Sequence, residues 1–526
     1  MTVKATTCLH PALRLARLAF MAMLAVTASP AAAQRFEPVE STIARIHQAM
    51  RAGSLSAREL VTLHLDRIEA YDRRGPSINS LTTIHPRALE IADSLDAIFS
   101  ATGRFTGPLH GIPVIVKENY DTYDLPTTAG ARALRSSIPP DDAFMVRRLR
   151  EAGAIVIAKS NMAEWAFSPL ETIGSALPGY TFNPYALNRV PAGSSGGTAA
   201  AVAASLGVVG LGTDTGNSIR GPASHTALVG IRPTIGLTSR DGIIPLYLER
   251  DVGGPLTRTV EDAARVLDVV AGVDPADPAT ADAAGHIPDT YTAALDPAAL
   301  RGARLGVVRN LANRPGAEPE MIQRFDEAIV ELRRLGATVI DSVDMWVFDD
   351  SMRVNTCSGF RSDLEDYLSS LGEDAPHRTL ASIIESRDFH PSVEARLQRA
   401  ITDTTERDPE RCRLAAQRKQ RFRDGLRAIM REHQLDAFIH PTWSNPPRLV
   451  GDLATPAGDN NQNLAPPSGF PAITVPMGWV RDATLPAGLQ FLGDAWSEAR
   501  LIGFAYAWEQ ATRHRRPPAA TPPLGR

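Results

Sequence analysis

A stretch rich in glycine and serine, residues 193–224, places the tightest constraint on how this chain can fold. It reads GSSGGTAAAVAASLGVVGLGTDTGNSIRGPAS, with one serine-bearing glycine cluster near each end. Glycine has no side chain, so the backbone N–H groups of residues 193–197 can approach a ligand closely. The run AAAVAAS predicts a closely packed helix, and residues 208–211 predict a short buried strand. Loop, helix, strand and loop therefore follow in order, and the two loops can bring Ser194 and Ser218 together.

Three other interpretations of this stretch are weaker. A flexible Gly/Ser linker is rarely followed by an apolar strand and a second glycine cluster. A phosphate-binding loop needs Lys after its last glycine, but Thr198 follows Gly197 here. A nucleophile elbow of the form G-x-S-x-G, centred on Ser195, needs a strand directly before it, and the preceding residues Val-Pro-Ala favour no strand.

At these residues the sequence resembles the amidase signature family. The resemblance rests on GSSGG and GTDTGNSIRGPAS in the stretch above, and it extends over most of the chain. One departure is Asn217, because many members have glycine before the nucleophile. Further segments that carry the resemblance are GIPVIVKENYDT (111–122), PTTAGA (126–131), AIVIAKSNMAEWA (154–166), LVGIRPTIGLTSRDGIIP (228–245) and GFPAITVPMG (469–478).

The resemblance implies a Ser–cis-Ser–Lys triad of Ser218, Ser194 and Lys117, with a cis peptide bond before Ser194. Ser218 would be the nucleophile that becomes acylated, and Lys117 the base, which acts on it through Ser194. Backbone N–H groups would stabilise the oxyanion. The residues implied for this oxyanion hole are Thr215, Gly216, Asn217 and Ser218.

The residue types around the triad fit this chemistry. Lys117 directly follows an apolar strand, and burial disfavours the charged ammonium form. A lone lysine at such a position is more often a solvated edge residue, but the two serine clusters favour a buried base. We expect Ser195 to hydrogen-bond the lysine, and Asp214 and Arg220 to form a structural ion pair below the loop.

Other catalytic groups find less support in the sequence. His225 and His440 suggest a Ser–His–Asp triad, but without supporting motifs each is expected to be structural. No group of His, Cys, Asp and Glu residues has metal-ligand spacing, so we expect neither a metal nor an organic cofactor. Trp165 and Phe167 are candidates to line an apolar substrate pocket and Trp443 to cover it, with positions in the core as an equal alternative.

The N-terminus has the pattern of a secretory signal peptide over residues 1–33. Lys4, Arg14 and Arg17 precede an apolar core at 18–26, and three alanines at 31–33 fit a cleavage site. The apolar run is too short to span a membrane comfortably, so the pattern predicts cleavage without a stable membrane anchor. We therefore expect a secreted or periplasmic protein that begins at Gln34.

Charge and cysteine content limit the partners. The formal net charge is −4, and it becomes more negative when the three basic residues of the leader are removed, which argues against nucleic acid as a partner. Cys357 and Cys412 remain after cleavage, and the sequence leaves open whether they pair. It also leaves open the oligomeric state.

Strands alternate with helices along the chain, which indicates an α/β fold. We expect a single large domain, residues 34–516, with a mixed β-sheet core flanked by helices on both faces. A β-α-β unit over residues 304–340 is the clearest local pattern. Residues 517–526 contain four prolines and small residues and are predicted to form a disordered tail.

The sequence as a whole predicts an exported amidase that hydrolyses a small-molecule carboxylic amide to an acid and ammonia or an amine. An esterase or a carbamate hydrolase with the same triad is an alternative. A non-catalytic binding protein that keeps the fold is an alternative of another class. The presence of Lys117, Ser194 and Ser218 argues against the binding protein.

Overall fold

The architecture is built on a mixed β-sheet. The structure is a computed structural model that describes residues 1–4, 36–167, 171–350, 353–354, 356–373, 375–452 and 454–525. Within these ranges the sheet has eleven strands. They are β1 (Leu81–Ile84), β2 (Pro113–Lys117), β3 (Ile155–Ser160), β4 (Val209–Thr213), β5 (Val229–Arg232), β6 (Gly253–Thr257), β7 (Arg304–Val307), β8 (Thr338–Ile340), β9 (Ala437–Pro441), β10 (Ala472–Val480) and β11 (Leu485–Leu492).

The strand order makes β2 and β4 parallel neighbours. The order is β1-β3-β2-β4-β6-β5-β10-β11-β9-β7-β8. The pairs β3/β2, β2/β4, β9/β7 and β7/β8 are parallel, and the other pairs are antiparallel. Because β2 and β4 are parallel neighbours, their carboxyl ends, Lys117 and Thr213, lie at the same edge of the sheet.

The central strands are covered on both faces. Every residue of β2, β3 and β4 is buried. Side chains alternate between the two faces of a strand, so complete burial requires packing partners above and below the sheet. The predicted α/β class, with one large domain and helices flanking a mixed sheet, is confirmed.

Helices connect most of the strands and pack on them. The helix α5 contacts β2 and β4, and α6 contacts β5, β10 and β11. The helices are α1 (Ile43–Arg51), α2 (Ala57–Arg67), α3 (Ala88–Thr102), α4 (Phe144–Glu151), α5 (Gly196–Ala203), α6 (Arg220–His225), α7 (Val260–Val270), α8 (Arg309–Ala312), α9 (Pro319–Arg334), α10 (Phe360–Ser370), α11 (Leu380–Ser386), α12 (Glu394–Thr402), α13 (Pro409–His433), α14 (Ala465–Ser468) and α15 (Glu498–Thr512).

Local sequence signals coincide with the starts of two helices. Ser56 caps α2, and its side chain and that of Glu59 form the two reciprocal hydrogen bonds of a capping box. Asp408 caps α13, and Pro409 occupies the first helical position, where a missing N–H has no cost. Caps of this kind supply partners for backbone groups that a helix end leaves unpaired.

A disulfide joins two segments that are distant in sequence. Cys357, shortly before α10, is bonded to Cys412 in the first turns of α13. The sequence left this pairing open. The bond fastens the chain entering α10 to the long helix α13.

The C-terminal residues differ from the predicted disordered tail. Arg67 donates hydrogen bonds of 2.9 Å to the carbonyl oxygens of Thr521 and Pro522, and the Tyr71 hydroxyl donates to Pro522 at 2.8 Å. Thr521 is buried. The prediction considered only that proline and small residues cannot build a core. It did not consider that backbone carbonyl groups can hold such a segment on a domain built by other residues.

Residues 38–526 form one compact unit. Most of the predicted signal peptide, residues 5–33, lies outside the described residues. None of the described helices combines the length and the apolar character needed to cross a membrane.

Candidate active site

A buried lysine lies at the end of β2. The Lys117 amine donates hydrogen bonds to the hydroxyl oxygens of Ser194, at 2.8 Å, and Thr213, at 2.7 Å. Lys117 and Ser194 are fully buried. Among the described residues, no carboxylate lies within ion-pair distance of the amine. The lysine is therefore held by neutral partners only.

Burial decides the protonation of this amine. Desolvation lowers the pKa of Lys117 from 10.5 to about 7, although the negative charges of Asp251 and Asp214 act in the opposite direction. At neutral pH a large share of the amine is thus uncharged. An uncharged amine can accept a proton, which the ordinary lysine cation cannot do.

The two serine loops are joined by backbone contacts. The Gly193–Ser194 peptide bond is cis, as the resemblance implied. The Ser194 carbonyl accepts a hydrogen bond of 3.1 Å from the N–H of Ala163, and the N–H of Ser195 donates to the Ser218 carbonyl at 3.3 Å. Ser194 and Ser218, far apart in the sequence, are thereby brought to one place.

Ser195 has a different partner from the one expected. Its hydroxyl donates to the carbonyl of Thr213 at 3.2 Å and accepts from the Thr213 N–H at 3.3 Å. The second contact of Lys117 is made by the Thr213 side chain, which the sequence interpretation missed. The usable signal was the position of Thr213 at the end of the strand preceding the second glycine cluster.

The loop after β4 is anchored by buried charges. Arg220 and Arg232 contact the Asp214 carboxylate at 3.1 and 3.0 Å, and all three side chains are fully buried. Burial alone would raise the pKa of Asp214, but the two guanidinium groups lower it to about 2. Arg220 also donates to the carbonyl of Gly216 at 2.6 Å. The expected Asp214–Arg220 pair is present, and Arg232 was not foreseen.

The same loop presents a row of backbone donors. Within the described chain, none of the N–H groups of residues 215–218 has a backbone acceptor. A Cβ at Gly216 would lie 2.2 Å from the Gln462 side-chain oxygen, so a larger residue there would require the exposed Gln462 side chain to move. The Ser218 hydroxyl lies 3.4 Å from the Asn217 side-chain oxygen, and Thr215 donates to Asp251 at 2.5 Å. The N–H groups of Thr215, Gly216, Asn217 and Ser218 therefore have no backbone acceptor among the described residues and belong to the loop that carries the Ser218 hydroxyl.

The three predicted pocket residues are divided between core and cavity. Trp165 and Phe167 pack edge-on against Phe360, with ring centroids 5.9 and 4.6 Å apart. Phe167 also lines a cavity, described below. Trp443 is buried against the His225 ring, with centroids 4.6 Å apart.

The two histidines do not form a triad with a serine. His440 contacts Gln490 at 3.0 Å, and burial lowers its pKa to about 4. Burial lowers the pKa of His225 to about 3. Within the described ranges, no cluster of three or more His, Cys, Asp or Glu side chains could hold a metal ion.

Comparison with known proteins identifies the family. The sequence matches the family model for amidases over residues 59–502. The chain belongs to the amidase family. This amidase is 35% identical over 504 residues to a probable amidase of Arabidopsis thaliana, with 92% of each chain covered. It is also 34% identical to a glutamyl-tRNA(Gln) amidotransferase subunit of Symbiobacterium thermophilum, over 92% of this chain and 99% of that protein.

A solved structure supports the same assignment. This amidase superposes on the native peptide amidase of Stenotrophomonas maltophilia with a TM-score of 0.81 and 38% identity, covering 91% of this chain and 98% of the other. A bacterial aryl acylamidase is similar at a TM-score of 0.74 and 25% identity, covering 90% of this chain and 96% of the other. The protein is accordingly a hydrolase of amide C–N bonds.

We predict that Asp214→Asn destabilises the protein. The change leaves two buried guanidinium groups without their counter-charge, which costs about 3–5 kcal/mol in free energy of unfolding. The pKa of Asp214 in the folded chain, about 2, is below its usual 3.8. The contribution of Asp214 to the free energy of unfolding is therefore fully present above its usual pKa and is lost as the pH falls toward 2. Denaturant titration of wild type and variant measures both effects.

Asp93→Asn is the matched control. Asp93 pairs with Arg58 on the surface, where both side chains are about half exposed, so its loss should cost less than about 1 kcal/mol. Equal losses in the two variants would show that the Asp214 network does not stabilise the fold.

Proposed function

We propose that this amidase hydrolyses a small-molecule carboxylic amide through an acyl-enzyme, with Ser218 as nucleophile, Ser194 as proton relay and Lys117 as base. One observation carries the proposal: the 2.8 Å hydrogen bond between the Lys117 amine and the Ser194 hydroxyl, at a site where burial lowers the pKa of the lysine to about 7. A serine hydroxyl becomes a strong nucleophile only when a base removes its proton.

Acylation follows from these positions. The Ser218 oxygen attacks the amide carbonyl carbon, its proton passes to Ser194, and the Ser194 proton passes to the neutral Lys117 amine. The backbone N–H groups of residues 215–218 donate to the negative oxygen of the tetrahedral intermediate. When the C–N bond breaks, Lys117 returns a proton through Ser194 to the leaving nitrogen. Ammonia or an amine departs, and Ser218 carries the acyl group.

Deacylation uses the same groups with water as the nucleophile. The neutral Lys117 amine takes a proton from water through Ser194, and the water oxygen attacks the ester carbonyl. Collapse of this second intermediate releases the acid and returns the proton to the Ser218 oxygen. No group other than the two serines and the lysine has to change protonation.

The same acyl-enzyme chemistry serves an esterase or a carbamate hydrolase, which remain the alternatives within the proposal. The amidotransferase relative suggests amide transfer within a complex as a further candidate. The signal-like sequence of residues 1–33 favours a hydrolase that acts alone outside the cytosol. The buried Lys117 and its Ser194 contact favour an enzyme over a non-catalytic binding protein.

Export to the periplasm or the medium is part of the proposal. The N-terminal pattern motivates it, and the Cys357–Cys412 disulfide supports it, because such bonds persist in oxidising compartments and are rare in the cytosol.

We predict that Ser218→Ala lowers kcat by about 10⁴-fold or more, because the nucleophile is lost. Ser194→Ala should lower kcat by about 10²–10⁴-fold, because the relay is interrupted. Steady-state kinetics on a chromogenic amide measures both, and a fluorophosphonate probe should label Ser218 in the wild type only. The matched control is Ser224→Ala, which removes a buried hydroxyl that has no partner among the described residues. Near-normal turnover by Ser218→Ala would exclude it as nucleophile.

We predict an acidic limb in the pH profile of acylation near pH 7, the pKa of Lys117. As the pH falls through this value the amine becomes charged and cannot accept a proton, so the rate falls; above it the rate reaches a plateau. Lys117→Ala should remove both the limb and most of the rate. Thr213→Val should move the limb to lower pH, because the ammonium form loses one hydrogen-bond acceptor. An unchanged limb in both variants would assign it to another group.

We predict that the mature protein begins at Gln34 and contains the Cys357–Cys412 bond. Mass spectrometry of the intact protein from a periplasmic or culture fraction, followed by peptide mapping without reduction, measures both. An intact Met1 in the cytosolic fraction would contradict export.

A further inference from the structure

A cavity of about 310 Å³ lies on the side of the domain formed by α10 and α12. Phe167, Phe360 and Tyr247 are the aromatic residues of its lining, and five charged side chains belong to the same lining. A cavity of this size accommodates part of a small organic molecule. The charges in its lining decide which part.

Most of these charges are neutralised within the protein. Arg411 pairs with Asp403 at 3.2 Å. Glu406 lies 3.6 Å from Arg361 and accepts a backbone hydrogen bond of 2.9 Å from Ser362. These contacts leave the cavity with cations that the protein does not balance.

The unbalanced cations are Arg396 and Arg399, one turn apart on α12. Within the described part of the chain, neither has a carboxylate within ion-pair distance. Arg396 donates to the Phe167 carbonyl and lies over the Phe167 ring, 5.3 Å from its centroid. Desolvation and the positive charge of Arg399 both lower the pKa of Arg396. Two guanidinium groups that repel each other at an aromatic cavity form a site complementary to an anion.

The walls of the cavity are continuous with both serine loops. Phe167 lies four residues after Ala163, and the N–H of Ala163 donates to the Ser194 carbonyl at 3.1 Å. Tyr247 is held through its N–H by Asp251, at 3.0 Å, and Asp251 accepts from Thr215 of the second loop at 2.5 Å. Two parts of the cavity wall are thus connected by short hydrogen-bonded paths to the loops that carry Ser194 and Ser218.

We propose that this cavity binds a carboxylate of the amide substrate, which Arg396 and Arg399 recognise while Phe167 and Tyr247 contact the apolar part beside it. The inference rests on the proposed function, because it assigns the substrate class of the proposed amide hydrolysis. The preferred substrates are amides that carry a carboxylate apart from the bond that is cleaved. The carboxylate belongs either to the acyl group or to the leaving amine.

The experiment compares matched substrate pairs by kcat/KM. The acyl arm uses the 4-nitroanilide of a linear dicarboxylic acid against that of the monocarboxylic acid of equal chain length. The amine arm uses an N-acyl 4-aminobenzoate against the N-acyl 4-methylaniline. In one arm the wild type should prefer the acidic member by about tenfold, the range of a charge-assisted hydrogen bond, and the preference should appear in KM.

Variants of Arg399 connect this preference to the cavity. Arg399→Ala should lower the acidic-to-neutral ratio by about tenfold, and Arg399→Glu should lower it further because it places a negative charge beside the anion. Arg421→Ala is the matched control: Arg421 is an exposed arginine of α13 outside the cavity lining, and its removal should leave the ratio unchanged. A wild-type ratio near one in both arms, or an equal ratio in wild type and Arg399→Glu, overturns the proposal.

A second measurement separates this inference from the proposed function. Calorimetry with the Ser218→Ala protein measures binding without turnover. It compares the dicarboxylic acid with the monocarboxylic acid of equal chain length, and 4-aminobenzoate with 4-methylaniline. Selective binding that disappears in Arg399→Glu supports the carboxylate site even if the triad assignment fails. Ser218-dependent hydrolysis without any acid preference supports the triad and overturns the carboxylate site.

Discussion

The buried amine of Lys117 is the group on which the rest of the site depends. A buried lysine has a high free-energy cost in its charged form, and proteins usually offset that cost with a paired carboxylate. A carboxylate partner would hold the proton on the amine and make it useless as a base. The hydroxyls of Ser194 and Thr213 satisfy the amine without doing so, and the pKa accordingly falls to about 7. Because its hydrogen-bond partners are neutral, desolvation lowers the pKa of Lys117 enough for the amine to be partly uncharged near pH 7.

The carboxylate of Asp214, near Lys117, is paired with arginines and not with the lysine. Asp214 stands one residue beyond Thr213, near enough to raise the pKa of Lys117, but two buried arginines neutralise it. Arg220 pairs with Asp214 and also donates to Gln490 of β11 at 3.1 Å, so the loop of backbone donors is fixed to a strand of the sheet. Donors that are fixed before the substrate binds need no reorganisation when charge develops on the substrate. One network therefore neutralises Asp214 near Lys117 and holds the loop that carries Ser218.

Features with a local cause could be predicted from the sequence, and features set by strand register could not. The start of α13 has a local cause, because Asp408 caps it and Pro409 suits its first turn. Ser194 and Ser218 were predicted to lie together because each belongs to a motif, and a backbone hydrogen bond from Ser195 to Ser218 joins those two motifs. Thr213 and Arg232 were missed because their roles depend on which strands are neighbours, which no single segment reveals. The cavity-facing position of Phe167 was one of two open alternatives, since core and cavity lining call for the same aromatic residue.

The proposed chemistry and the proposed substrate selection lie in different parts of this chain. Lys117 and the Ser218 loop lie at the ends of β2 and β4, inside the segments that resemble the family, whereas Arg396 and Arg399 lie on α12, outside those segments. A rigid attachment between the two parts is needed, because a misplaced substrate loses most of the benefit of oriented groups. Asp251 supplies part of it by bonding both the oxyanion loop and the loop of Tyr247, and the disulfide fastens the chain entering α10 to α13. In the proposed mechanism, helices α10 and α12 therefore contribute to substrate binding through side chains that do not contact the Lys117 amine.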